Sequence, residues 1–136
     1  MPCIELDLLI AFVNSEDKLH KKADELFLRI SRAELKDVYV ASSAYLEYEL
    51  VHRAKGLQER EIREDLEAFS QYRNLGEASL TAETLARAIE LRMQHSHTYF
   101  DSLHAATAIL NDGVIISVDK AYDNVEGLRR VDPQDL

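Results

Sequence analysis

The chain has 136 residues, 46% of them apolar, and a formal net charge of −9 at pH 7. That length suits one domain burying roughly two thirds of its unfolded surface, and no apolar run nears the ~18 residues of a membrane span. The negative balance disfavours tight nonspecific nucleic-acid binding, which rests on Lys and Arg at phosphates, unless metal ions or a local basic patch offset the carboxylates.

The N-terminal MPCIELD has no basic flank or cleavage motif, so no signal peptide is expected. Cys3 is the lone cysteine and forms no internal disulfide, which fits a reducing cytoplasm. Residues 3–6 alternate and predict a first strand, after which Asp7 is placed to cap an apolar helical turn over 8–13. Residues 18–32 carry Leu19, Ala23, Leu26, Phe27 and Ile30 on one stripe, an amphipathic helix. Residues 38–41 read as a second strand, and Ser42 or Ser43 caps a helix running to 54 and closed by Gly56. Residues 57–72 form a helix dense in Glu and Arg at i, i+4 spacing, a solvated face. Residues 78–80 are a weak third strand, and Thr81 caps a helix to about 93.

The chain is organised around residues 98–123, TYFDSLHAATAILNDGVIISVDKAYD. Phe100, Leu103, Ala106 and Leu110 recur at helical spacing, and Asn111-Asp112-Gly113 is a stop signal with Gly suited to a left-handed position. Val114-Ile115-Ile116 is a short β-branched run of the kind covered on both faces of a sheet. Residues 128–131 make a last strand before Asp132-Pro133. Strands alternating with helices predict an α/β fold, a three-layer α/β/α sandwich with a parallel sheet of four or five strands. No repeat, linker or low-complexity segment divides the sequence.

Each strand that feeds a helix carries a carboxylate at or beyond the junction: Glu5 and Asp7, then Glu49, Asp101 and Asp119. Ligands of open parallel sheets bind outside the strand carboxyl ends. Acids gathered there suit a hard cation, because Mg²⁺ or Mn²⁺ takes a few carboxylates, several waters and phosphate oxygens. Any one of these acids taken alone is better explained as a helix cap complementing the dipole.

Three stretches run close to one known pattern. Tyr99-Phe100-Asp101-Ser102-Leu103-His104-Ala105-Ala106 matches an aromatic-Asp-Ala-x-x-Ala helix start, and Ser117-Val118-Asp119-Lys120-Ala121-Tyr122 matches Thr/Ser-x-Asp-x-x-aromatic. Ser43-Ala44-Tyr45-Leu46-Glu47-Tyr48-Glu49-Leu50 matches the segment that carries a further acid. With these in order, the chain resembles a PIN domain over nearly its whole length. Within that class it resembles the ribonuclease toxin (VapC-type) of a prokaryotic toxin–antitoxin pair. The resemblance puts the third acid on Glu49. Its usual apolar-Asp-Thr-Asn/Ser start is altered here to Ile4-Glu5-Leu6-Asp7-Leu8, with Glu5 at the Asp position and Asp7 at the Asn/Ser position. Either Glu5 folds back to fill the role or Asp7 takes it over. On an extended strand the two share one face by the period of two.

The resemblance implies a Mg²⁺- or Mn²⁺-dependent, single-strand-specific endoribonuclease, with Glu5 or Asp7, Glu49, Asp101 and Asp119 as ligands and water as the nucleophile. It also implies a single-stranded or structured RNA substrate, a small antitoxin inserted into the active-site groove, a homodimer, and no membrane. Two rivals remain open: a phosphatase-like acidic pocket, whose parts are poorly placed here, and a degenerate PIN scaffold that binds RNA or a protein without cutting. Around these acids, Glu47 is expected to face solvent, since i and i+2 point to different sides of a helix. His104 is expected to be buried against the sheet, because no second His or Cys at ligand spacing supports a Zn-type pair with Asp101. Asp123 reads as a turn residue, and His95 and His97 as loop residues. Arg53, Lys55 and Arg60 suit RNA phosphate or an acidic antitoxin segment as well as they suit surface ion pairs.

Overall fold

The computed structural model describes residues 2–136. Five short strands form one sheet: β1 (Cys3–Ile4), β2 (Tyr39–Ala41), β3 (Gly76–Ala78), β4 (Val114–Ile116) and β5 (Arg129–Val131). All pairings are parallel, in the order β3-β2-β1-β4-β5. The helices are α1 (Leu6–Val13), α2 (His20–Ser31), α3 (Ser42–Ala54), α4 (Glu59–Ser70), α5 (Ala82–Gln94) and α6 (Tyr99–Ile109).

The period of two along each strand sorts the core into two layers. Cys3, Tyr39, Ala41 and Ile115 face one way and pack with Ala88, Leu91, Leu103, Ala105 and Ala106 of α5 and α6. Ile4, Val38, Val40 and Ile116 face the other way and meet Leu8 and Leu9 of α1, Phe27 and Ile30 of α2, Tyr48 of α3 and Phe69 of α4. An aromatic cluster fills the centre of that second layer, with Phe12 stacked on Phe27 at 4.2 Å between ring centroids. The expected α/β/α sandwich is present, with five strands. β4 is covered on both faces, which its β-branched sequence required.

Several boundaries differ from expectation, each for a local reason. The first strand ends at Ile4, because Leu6, Leu8 and Leu9 are all buried on the inner side of α1 and the chain turns directly into that helix. Glu5, not Asp7, is therefore the N-cap: its carboxylate accepts from the Asp7 N–H at 3.0 Å. Asp7 lies on the first turn of α1, so the two acids do not share a strand face. The third strand begins two residues before the expected one, since the Gly76 N–H donates to the Val38 carbonyl at 2.8 Å and fixes the register. α2 starts at His20 after a turn in which Asp17 accepts from the Leu19 N–H. Gly113 ends α6 as expected; its φ is +76°, and a Cβ there would stand 2.6 Å from the Gly127 carbonyl oxygen.

The sheet order places the site. The chain runs outward from β1 through β2 to β3, then returns so that β4 pairs with the other side of β1. The crevice outside the carboxyl ends of β1 and β4 is thus the switch point at which such sheets bind ligands. The Glu5 N–H donates to the Ile116 carbonyl at 3.2 Å, so the chain just past β1 is held beside the end of β4.

Candidate functional site

Four elements deliver acids to this crevice. Glu5 enters at the end of β1 and is buried, 4% exposed. Asp7 follows on α1 at the rim. Asp101 lies in the first turn of α6, where Thr98 caps the helix by accepting from the Asp101 N–H at 3.2 Å. Asp119 follows β4 in a tight turn: its N–H donates to Ser117 Oγ at 3.0 Å, and its Oδ1 accepts from the Ala121 N–H at 2.9 Å. That turn leads into a short 3-10 segment, Lys120–Tyr122, which places the buried Tyr122 hydroxyl where it donates to Asp101 Oδ1 at 3.3 Å.

The electrostatics tie these groups together. Glu5 is pushed up to about 9, first by burial and then by the charges of Asp7, Asp101 and Glu47, against the help of its hydrogen bond from the Asp7 N–H. Asp7 is also raised, by loss of water at the pocket edge and by Asp119, Asp101 and Glu47, while its hydrogen bond with Glu5 opposes the rise. Tyr122 is held far above the usual phenol range by burial and then by Glu5 and Asp101. These shifts mark a cluster of like charges rather than an ion-paired network.

Glu49 is not brought into this cluster. It lies on the side of α3 that faces α4 and pairs with Arg53 at 3.4 Å, along a groove also lined by Glu59, Arg60 and Arg63. Glu47 instead lies beside Glu5 and Asp7. Its Oε1 meets His104 Nε2 of α6 at 2.8 Å, and its charge bears on both Glu5 and Asp7. Glu47 is therefore not solvent-facing. Ser43, one helical turn before Glu47, is buried against the same histidine. His104 is buried as expected, 1% exposed.

The flanking residues divide as follows. Arg53 holds both Glu49 and Glu59, and Arg60 pairs with Glu64, so two of the three basic residues left open are in surface ion pairs. Asp123 is more than a turn residue: Arg130 grips it through Nε at 2.9 Å, lowering its carboxyl, and the same guanidinium donates to the Ser117 carbonyl at the base of the Asp119 turn. His97 lies close to the acids, its ring roughly parallel to that of Tyr122 at 6.3 Å. Its buried Nε2 has no hydrogen-bond partner. Burial and then His95 lower it, while Asp101 and Asp119 act to raise it.

Among the described residues, no three His, Cys, Asp or Glu side chains converge tightly enough to form a ready-made metal cage. The donor chemistry nevertheless fits Mg²⁺ or Mn²⁺: the groups are all carboxylates, and Mg²⁺ keeps several waters and needs only one or two protein ligands. No helix among the described residues is long and apolar enough to cross a membrane.

No curated protein matches the sequence. The fold is similar to a toxin–antitoxin complex from Klebsiella pneumoniae, at 18% identity and a TM-score of 0.67 over 100% of both chains. It is similar to VapBC2 from Rickettsia felis bound to a promoter DNA fragment, at 15% identity and a TM-score of 0.72 over 96% of each chain. It is also similar to VapC20 from Mycobacterium tuberculosis, described as a sarcin-ricin loop cleaving toxin, at 17% identity and a TM-score of 0.70 over 88% of this chain and 91% of that one. Identities this low speak for the fold alone. The sequence itself matches the PIN domain family over residues 7–128, which takes in Asp7, Glu47, Glu49, Asp101 and Asp119, and the protein belongs to that family.

Proposed function

We propose that this protein is a divalent-metal-dependent, single-strand-specific endoribonuclease and the toxin of a toxin–antitoxin pair. The observation that carries the reading is the gathering of Glu5, Glu47, Asp101 and Asp119 from four elements at the switch point, with Glu5 feeling Glu47 and Asp101 directly. Glu47 replaces Glu49 in the proposed ligand set, and Asp7 stands at its edge. The fold likeness to toxin–antitoxin complexes supports an antitoxin partner.

The chain's own groups do the positioning. Thr98 and the Tyr122 hydroxyl orient Asp101, and the Ser117–Ala121 turn orients Asp119. Glu5 accepts from the Asp7 N–H, so its longer side chain folds back toward the start of α1. Glu5, Glu47, Asp101 and Asp119 would hold the divalent ion, which when bound would supply polarisation of the scissile phosphate and activation of water. With a net charge of −9, the protein depends on that ion to admit an RNA backbone.

One observation favours the degenerate scaffold. The Glu5 carboxylate is engaged as a helix cap, and the acids as placed form no closed cage. Cleavage of a fluorescent single-stranded RNA in Mn²⁺ separates the readings. Cutting by wild type that is lost in Asp101→Asn supports the nuclease. An inert wild type that gains activity as Glu5→Asp supports the scaffold.

A further inference from the structure

His104 is a fully buried imidazole with both ring nitrogens engaged. Nε2 is 2.8 Å from Glu47 Oε1, and Nδ1 is 3.1 Å from Ser43 Oγ. A carboxylate only accepts, so Nε2–H donates to Glu47, and in the neutral ring Nδ1 then accepts from the Ser43 hydroxyl. Ser43 and Glu47 are one turn apart on α3, and one ring from α6 therefore spans both. Phe100 packs beside that ring, with centroids 6.3 Å apart and the planes inclined by 29°. A Ser–His–Glu series invites comparison with a nucleophile relay, but the Ser43 side chain is buried at 1% exposure and out of reach of any substrate.

We propose that His104 is a positioning residue. Held by Ser43 and Phe100, it fixes the Glu47 carboxylate through Oε1 in the orientation in which Glu47 helps to hold a divalent cation beside Glu5 and Asp101. A free glutamate has three rotatable bonds on a side chain that here remains 23% exposed, so its carboxylate would otherwise sample solvent. Hydrogen bonds to ligating carboxylates orient them and strengthen metal binding. The inference rests on the cation site proposed above and adds to it the residue that aims Glu47.

The test measures Mn²⁺ binding to the metal-free protein by electron paramagnetic resonance, without RNA. The samples are wild type, Glu47→Gln, His104→Phe, His104→Gln, Ser43→Ala and the Glu47→Gln/His104→Phe double variant. His104→Phe should weaken Mn²⁺ binding by about 10–100-fold while keeping a cooperative melt. His104→Gln, which returns an amide donor near the Nε2 position, should recover most of the loss. The double variant should bind no more weakly than Glu47→Gln alone, since both changes break one interaction. Long-range ¹H–¹⁵N spectra should report the Nε2–H tautomer of His104 in wild type and a mixed tautomer in Glu47→Gln. Should His104→Phe not fold, His104→Gln against Ser43→Ala still decides, with Ser43→Ala the weaker binder. Wild-type affinity in His104→Phe, or additive losses in the double variant, would overturn the positioning role and leave the cation site standing. An absence of Mn²⁺ binding by wild type would remove both.

Discussion

On the α3–α4 surface, Glu49 and Glu59 lie within ion-pair reach of Arg53, Glu64 of Arg60 and Glu67 of Arg63. At the carboxyl ends of β1 and β4, Glu5, Asp7, Asp101 and Asp119 are assembled beside one another, and Glu5 and Asp7 are raised first by burial and then by neighbouring carboxylates. The nearby Arg130 is engaged with Asp123. The same residue type is thus solvated and neutralised in one region, and partly desolvated and unbalanced in the other. Exposed pairs add little to stability. Desolvated like charges subtract from it, and such perturbed groups cluster at functional sites. Two neighbouring acids of α3 carry the contrast: Glu49 belongs to the first region and Glu47 to the second.

The largest expected effect is on cleavage. Asp101→Asn should lower the rate roughly a hundredfold or more while leaving the fold intact, in line with the loss of one group that stabilises transition-state charge. Glu49→Gln should cut at nearly the wild-type rate. If Glu49→Gln proves as damaging as Asp101→Asn in the same RNA assay, the division between the two regions collapses.

Next is metal-linked stability. Mg²⁺ or Mn²⁺ at a hundred times its dissociation constant should stabilise the protein by about 2.7 kcal/mol. Thermal melts with and without metal should show that gain in wild type and in Arg60→Ala, and should lose it in Asp101→Asn/Asp119→Asn. A retained gain in the double variant would separate the metal from the strand-end acids.

The pH dependence sharpens the comparison further. Glu5 moves from 4.5 to about 9 on folding, so the folded state holds this proton more tightly than the unfolded state. Stability contributed by this group is therefore complete below about pH 4.5 and is lost progressively as pH rises toward about 9. Denaturant titrations of the metal-free protein across that window should show the decline, and Glu5→Gln should flatten it. A slope of the opposite sign in the metal-free protein would mean that Glu5 is not the desolvated, repelled group described.

The smallest effect lies on the surface. Arg60→Ala breaks an exposed i, i+4 pair with Glu64 and should change stability by no more than about 0.5 kcal/mol, read from urea midpoints. A larger loss would mean that the α3–α4 charges form a cooperative network.

Much of this arrangement is legible in the sequence. Helical spacing gave the helices α5 and α6; Thr81 caps α5 as expected, and Thr98 caps α6 in the same way. The β-branched run gave β4, and alternating elements gave the parallel sheet. β3, Gly-Glu-Ala, has no strand pattern of its own and exists because β2 offers it a ladder. In the N-terminal segment, alternation suggested a longer strand, but burial of Leu6, Leu8 and Leu9 drew the chain into α1 and made Glu5 the cap.

The sequence by itself determined the class of fold, the order of its elements and the supply of carboxylates at strand ends, because periodicity and capping act within one turn or one pleat. Only the tertiary structure decided which acids meet. The choice between Glu47 and Glu49 depends on the rotation of α3 about its axis, set by Ala44 and Tyr48 packing into the core and by α6 presenting His104 to one flank. The apposition of Asp7 with Asp119 depends on β4 pairing beside β1 across more than a hundred residues of chain. The pKa of Glu5 depends on burial, which no spacing encodes. Such contacts are fixed by long-range packing, and a local pattern is compatible with either outcome.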